Sequence, residues 1–178
     1  MIIKNSLAIF KINTANDSVG KSTPAFEHHL HHWIPQKGNI FLDIGANIGF
    51  YSLLALNKKK FQQVHAFEPT PHTFKLLKSN QELNKLQNKL KVNNLALGSS
   101  EQTLYLKQNF VHTGGNEVVK EKLDNKMISV KQIKLDDYIT KEKIDLKNID
   151  YIKIDVEGFE YDVIKGPEKT LKGLSKGA

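Results

Sequence analysis

The stretch Ile40-Phe41-Leu42-Asp43-Ile44-Gly45-Ala46-Asn47-Ile48-Gly49-Phe50 constrains this chain more than any other. An apolar run ends in a carboxylate, two glycines follow with three residues between them, and a helix-like pattern resumes. That order describes a buried strand, a tight turn and a helix N-terminus. At such a turn a ligand can approach the backbone closely and meet unpaired N–H groups. A dinucleotide turn needs Gly-x-Gly-x-x-Gly, so that a pyrophosphate can rest on it. Here the spacing is Gly45-x-x-x-Gly49 and Asp43 stands ahead of the first glycine. An anion is repelled by that carboxylate and an ammonium group is attracted. S-adenosylmethionine (SAM) carries an ammonium and a sulfonium, so the turn reads as a SAM site. The competing reading is a pair of glycines that only shape a βα turn.

The 178 residues suit one domain with a substantial core. No run of about eighteen apolar residues is present, so no membrane-spanning segment is expected. Ser6 to Phe10 is too short an apolar run for a secretory signal. The absence of cysteine excludes disulfides, thiolate catalysis and zinc–thiolate sites. A cytoplasmic location is the default expectation. The net charge of +7 raises a nucleic-acid partner, but all 26 basic residues are lysine. Arginine is the usual device for bidentate recognition of bases and phosphates, whereas lysine is a solvated point charge. A lysine-rich solvated surface is therefore favoured, and a basic cleft for an acidic substrate is the alternative.

Residues 1–37 read as an N-terminal extension, a strand-like segment and then a helix opened by Thr23-Pro24 and stopped by Pro35 and Gly38. Residues 38–178 read as the SAM-binding domain, incomplete at its C-terminal end. Within it, strands are expected at Ile40–Ile44, Val64–Phe67, Leu90–Leu97 and Tyr151–Ile154. Helices are expected over Ile48–Leu56, after Thr70-Pro71 and from Gly158 to Lys165. Thr103–Lys107 and Met127–Leu135 alternate as further strands, and Asp136–Ile139 signals a short helix. Strands joined by helical crossovers imply an α/β fold, a doubly wound, mostly parallel sheet. Leu171 to Ala178 offers no further strand, so the sheet is expected to be truncated after strand four and its following helix. Strand four would then be an exposed edge. Either the sequence is a fragment, which is favoured, or a partner chain such as a second copy covers that edge.

Glu68, in Phe67-Glu68-Pro69, falls at the tip of the second strand, where an acid can accept hydrogen bonds from both ribose hydroxyls of an adenosine. The alternative is a carboxylate stabilised by a helix dipole. Asn94 and Ala96, in Asn94-Leu95-Ala96-Leu97-Gly98, are candidates for an adenine wall or for an ordinary buried strand end. Asp155 ends strand four in the crevice, and Glu157 lies two residues on. Both carboxylates are candidates to stabilise cofactor charge, orient an acceptor hydroxyl or take its proton. Helix capping by Glu157 or Glu160 competes with that role.

These residues resemble a known family. Asp43-Ile44-Gly45-Ala46-Asn47-Ile48-Gly49, Glu68-Pro69 and Ile154-Asp155-Val156-Glu157-Gly158-Phe159-Glu160 are similar, in this order, to the motifs of FkbM-type SAM-dependent methyltransferases. Ile133-Lys134-Leu135-Asp136-Asp137-Tyr138-Ile139 adds to the likeness, which covers about residues 26–172. The resemblance implies a class I methyltransferase (Rossmann-like) fold and O-methylation of a hydroxyl on a sugar, polyketide or other small metabolite. By the same token Asp43, Gly45, Ala46, Asn47 and Gly49 would line the amino-acid end of SAM and Glu68 its ribose. Asp155 and Glu157 would lie near the methyl group and the acceptor.

His28, His29, His31 and His32 crowd a helix with metal-compatible spacing at His28/His32, but no companion acid completes a known metal pattern and no metal site is assigned. His112 is a further candidate base beside Asp155 and Glu157, and Thr113-Gly114-Gly115-Asn116 is a candidate cover for the acceptor or, equally, a flexible surface connection. The partner expected is a small hydroxylated acceptor, a saccharide being one case. A nucleic-acid methyltransferase is an alternative enzyme, disfavoured by the missing arginine. A non-catalytic SAM-binding module or inactive fragment is the alternative from another class.

Overall fold

A computed structural model describes residues 1–12, 28–107, 117–119, 127–156 and 158–174. Its centre is a four-stranded parallel sheet of β3 (Gly38–Ile44), β4 (Phe61–Phe67), β5 (Leu90–Asn93) and β10 (Ile149–Ile154), ordered β10-β3-β4-β5. The period of two decides which side chain enters which layer. Phe41 faces α1 (Phe50–Asn57) and α2 (Pro71–Leu83), in a cluster with Leu53, Val64 and Leu77. Ile40, Leu42 and Ile44 face the other way, towards α3 (Leu135–Glu142) and α4 (Glu160–Lys165), packing with Tyr138, Ile139 and Val163. Helices thus cover both faces, as a parallel sheet requires.

The chain runs outward from β3 to β4 and β5, then returns to set β10 on the other side of β3. Strand order reverses between β3 and β10, and the crevice beyond their carboxyl ends is where open α/β sheets hold ligands. Lys153 pairs in register with Asp43, and Ile154 with Ile44.

The expected single sheet needs correction. Leu90–Leu97 is not one strand: it breaks at Asn94 into β5 and β6 (Ala96–Leu97). The Asn94 amide instead donates to the carbonyls of Glu68 and Pro69, at 2.9 and 2.8 Å. β6 joins β7 (Gln102–Lys107), β8 (Glu117–Val119) and β9 (Ile128–Ile133) in a second, mixed sheet ordered β6-β9-β7-β8. β7 runs antiparallel to both neighbours, and Leu104, Leu106 and Val130 form its small core.

Nor does the chain stop at the helix after strand four. Glu168–Leu174 forms α5, whose start is held by Asp136 of α3. The Asp136 carboxylate accepts the N–H groups of Lys169 and Thr170 at 2.9 and 3.0 Å and the Thr170 hydroxyl at 2.6 Å.

The N-terminal segment is a hairpin of β1 (Ile2–Lys4) and β2 (Ile9–Lys11). Leu7, Phe10 and Ile12 enter the same core as Phe41. Asn84, the C-cap of α2, and Asn80 within it accept the N–H groups of Ile9 and Lys11, at 2.9 and 2.5 Å. The helix expected to end near Trp33 is, in its described part, a 3-10 turn over His28–Trp33. No helix of the described residues is long and apolar enough to cross a membrane.

Candidate active site

Asp43 is the one carboxylate of β3, set between Leu42 and Ile44, and it is completely buried. Its Oδ2 accepts the Ser52 hydroxyl of α1 at 2.6 Å. Its Oδ1 has no hydrogen bond, and the charge it faces is Lys153 Nζ at 3.4 Å. Lys153 reaches it because both residues occupy paired positions of adjacent parallel strands, so their side chains leave the sheet on the same side. The same ammonium lies 3.3 Å from Asp155 Oδ2, donates to the Gly45 carbonyl at 3.3 Å and sits 5.0 Å from the Tyr51 ring centre. Sequence reasoning assigned Lys153 no role. Its signal was Ile152-Lys153-Ile154, a charge between two apolar residues of an expected strand.

The glycine turn is built by close approach. Gly45 has φ +78°, and a Cβ there would lie 1.9 Å from the Asp155 carbonyl oxygen. Gly49 has φ +92° and stands as N-cap of α1. Between them Asn47 takes φ +52°, a conformation that asparagine tolerates better than most residues. The unpaired N–H groups expected here are mostly satisfied within the protein. Gly45 and Ala46 donate to the Phe67 carbonyl at 3.0 and 2.9 Å, and Gly49 to the Ala46 carbonyl at 2.8 Å. Asn47 donates to Glu68 Oε2 at 3.0 Å. An anion would find those four donors already engaged, with Asp43 beneath them. The Asn47 side-chain Oδ1, by contrast, is buried without a partner, an acceptor at the turn that a ligand's donor would satisfy.

Glu68 is 7% exposed, and both of its oxygens already accept backbone N–H groups, from Asn47 and from Thr70 at 2.9 Å. Burial pushes its pKa above the usual carboxylate range, against the opposing pull of those N–H groups and the Lys153 charge. Glu68 therefore couples the Gly45–Gly49 turn to the start of α2. Thr70, the N-cap of α2, makes no side-chain capping bond; its own N–H is held by Glu68 instead.

Asp155 directly follows β10 with its side chain 56% exposed, and its N–H donates to the Ile44 carbonyl at 3.0 Å. The loop after it is braced by Glu160, whose carboxylate accepts the N–H groups of Val156 and Gly158 at 3.0–3.2 Å. Glu157, His112 and the Thr113–Asn116 segment lie outside the described residues. The structure thus brings together Asp43, Gly45, Ala46, Asn47, Gly49, Glu68 and Asp155. Asn94 joins them through the Glu68 backbone, while Ala96 belongs to the second sheet beside Leu104 and Val130. The histidine turn packs on α1 through His31, whose ring lies 5.6 Å from that of Phe50.

A parallel α/β sheet whose switch point carries an acid-bearing Gly-x-x-x-Gly turn defines the Rossmann-like methyltransferase class. Within that class the chain belongs to the FkbM methyltransferase family: residues 43–174 match the Methyltransferase FkbM domain, whose cofactor is SAM. It is 30% identical over 173 residues to methyltransferase sdnD of Sordaria araneosa, an alignment covering 81% of this chain and 66% of that protein. It is 25% identical over 140 residues to hexuronic acid methyltransferase AglP of Haloferax volcanii, covering 79% and 54%. The chain therefore spans between about half and two thirds of the length of these relatives. The fold matches the crystal structure of an FkbM methyltransferase from Methylobacillus flagellatus KT with a TM-score of 0.53 at 18% identity, covering 84% of this chain and 38% of that one.

Proposed function

We propose that the protein transfers a methyl group from SAM to a hydroxyl oxygen of a small metabolite, a saccharide being the first acceptor to try. The observation that carries the reading is the Asp43–Lys153–Asp155 bridge, which sets two carboxylates and the glycine turn around the crevice at the switch point. SAM supplies a methyl group already activated by its sulfonium. The residues present fit such a ligand: the turn admits close approach at Gly45 and Gly49, Asn47 Oδ1 is an unused acceptor, and the carboxylates favour a cation over an anion.

The protein's own tasks are then positioning, exclusion of water and removal of one proton. Asp43, Gly45, Ala46, Asn47 and Gly49 hold the amino-acid end, and Glu68 and Asn94 fix the loop beside the ribose. Asp43 acts from beneath the turn, because its carboxylate is engaged by Ser52 and Lys153. Asp155, exposed at the strand end, accepts the acceptor's hydroxyl proton, with Glu157 as the second carboxylate of the pair. The name of AglP, a hexuronic acid methyltransferase, supports a sugar acceptor.

The test joins calorimetry of SAM and S-adenosylhomocysteine (SAH) with a labelled-methyl screen over pyranosides and RNA. Methyl transfer to a pyranoside, with Asp155→Asn lowering turnover about a hundredfold while SAH affinity holds, is the expected result. Transfer to RNA alone would replace the acceptor class. Folded protein that binds neither SAM nor SAH would defeat the reading.

A further inference from the structure

We infer that the cleft between the His28–Trp33 turn and β10 is the acceptor pocket, and that it takes a hydroxylated ring with one apolar face, of which a pyranoside is the simplest case. The inference rests on the SAM-site reading above. The cleft measures about 410 Å³, within the range of small-ligand sites. Leu30, Trp33, Tyr51 and Tyr151 give it apolar walls, and Lys153 and Asp155 close one end. Lys153 also donates to the Gly45 carbonyl, so that polar end adjoins the glycine turn.

Trp33 is 65% exposed, although indole is among the costliest side chains to leave in water. It is held in place by the His32 ring, 4.8 Å away, and the 3-10 turn presents it to the cleft. An aromatic face exposed in this way packs well against the C–H face of a saturated ring. Asp155 then offers its carboxylate to a hydroxyl at the ring's edge, as a charge-assisted hydrogen bond.

Charge selects against a polyanionic acceptor. Lys153, the one lysine lining the cleft among the described residues, lies between Asp43 and Asp155, so its single positive charge meets two negative ones. A phosphate backbone would meet net negative charge in this pocket, despite the overall +7 of the chain. A neutral ring, or one whose own acid points away from Asp155, meets no such barrier.

Trp33 is the only tryptophan of the chain, so tryptophan emission reports this cleft alone. With saturating SAH present, methyl glucoside, mannoside, galactoside and glucuronide would be titrated against it. We expect a saturable emission change with at least one of them. Asp155→Asn should weaken it about tenfold, the loss of one charge-assisted hydrogen bond. Leu30→Lys should abolish it while the circular dichroism spectrum stays that of the parent chain. If SAH binds by calorimetry but no pyranoside moves the emission, the inference is overturned and the SAM reading survives. A response that both variants leave unchanged places the sugar elsewhere and also overturns it. A response to an RNA oligomer instead of pyranosides replaces the ligand class. Failure of SAH to bind the folded chain removes the reading on which the inference rests.

Discussion

Lys153 contributes through what surrounds it. Among the described residues its ammonium is the one cation paired with a carboxylate that has no exposed surface, so its removal leaves Asp43 without an ion-pair partner in the core. Lys153→Met should destabilise the fold by about 3–5 kcal/mol, readable in urea melts. Asp43→Asn together with Lys153→Met should lose clearly less than the single change, because the orphaned charge is gone. A second buried group sets a pH dependence. His65 of β4 is 3% exposed, its Nδ1 lies 2.7 Å from the Tyr138 hydroxyl, and its Nε2 is buried without a partner. Burial, with a smaller push from Lys91 against the pull of Glu142, lowers its pKa from 6.5 to about 4. The unfolded chain then takes up a proton near pH 6.5 that the folded chain refuses until about pH 4. Stability should fall across that window as pH drops, by up to about 3 kcal/mol, and level off below it. His65→Phe should flatten this part of the profile; an unchanged slope would show that other groups control it.

At the scale of elements, the informative contacts are those in which one segment's side chain satisfies another segment's backbone. Asp136 of α3 holds the first turn of α5 through three hydrogen bonds. Burial raises the pKa of Asp136, but the Thr170 hydroxyl and the Lys169 and Thr170 N–H groups outweigh it, and the net shift is downward. Asp136→Ala should cost about 1–2 kcal/mol, and amide exchange at Lys169 and Thr170 should quicken before the central sheet is affected. The Gly45–Asp155 approach is stricter, since no side chain fits between the turn and the end of β10. Gly45→Ala should push those two elements apart and weaken SAH binding at least tenfold, with a smaller loss of stability.

The whole molecule gathers its candidate site at one end of one sheet. A ligand that binds there and not to the unfolded chain raises stability by about 2.7 kcal/mol at a hundred times its Kd. SAH should therefore raise the melting temperature measurably, and Lys153→Met should blunt that rise. The strand–turn–helix order, the parallel core and the residues of the glycine turn were legible in sequence because they rest on local rules: alternation, glycine spacing and helix starts. The broken strand at Asn94 was not legible, since its cause is a side chain reaching the carbonyls of Glu68 and Pro69 in another loop. The second sheet was hidden for a similar reason: alternation marks a strand but does not name its neighbour. By itself the sequence determined which residues carry charge and where the backbone must turn, because both are properties of single residues and their spacing. Only the tertiary structure decided that Lys153 faces Asp43, that Glu68 spends both oxygens on backbone N–H groups and that Trp33 borders the crevice. Those pairings depend on strand order and register, which bring together residues distant in the chain.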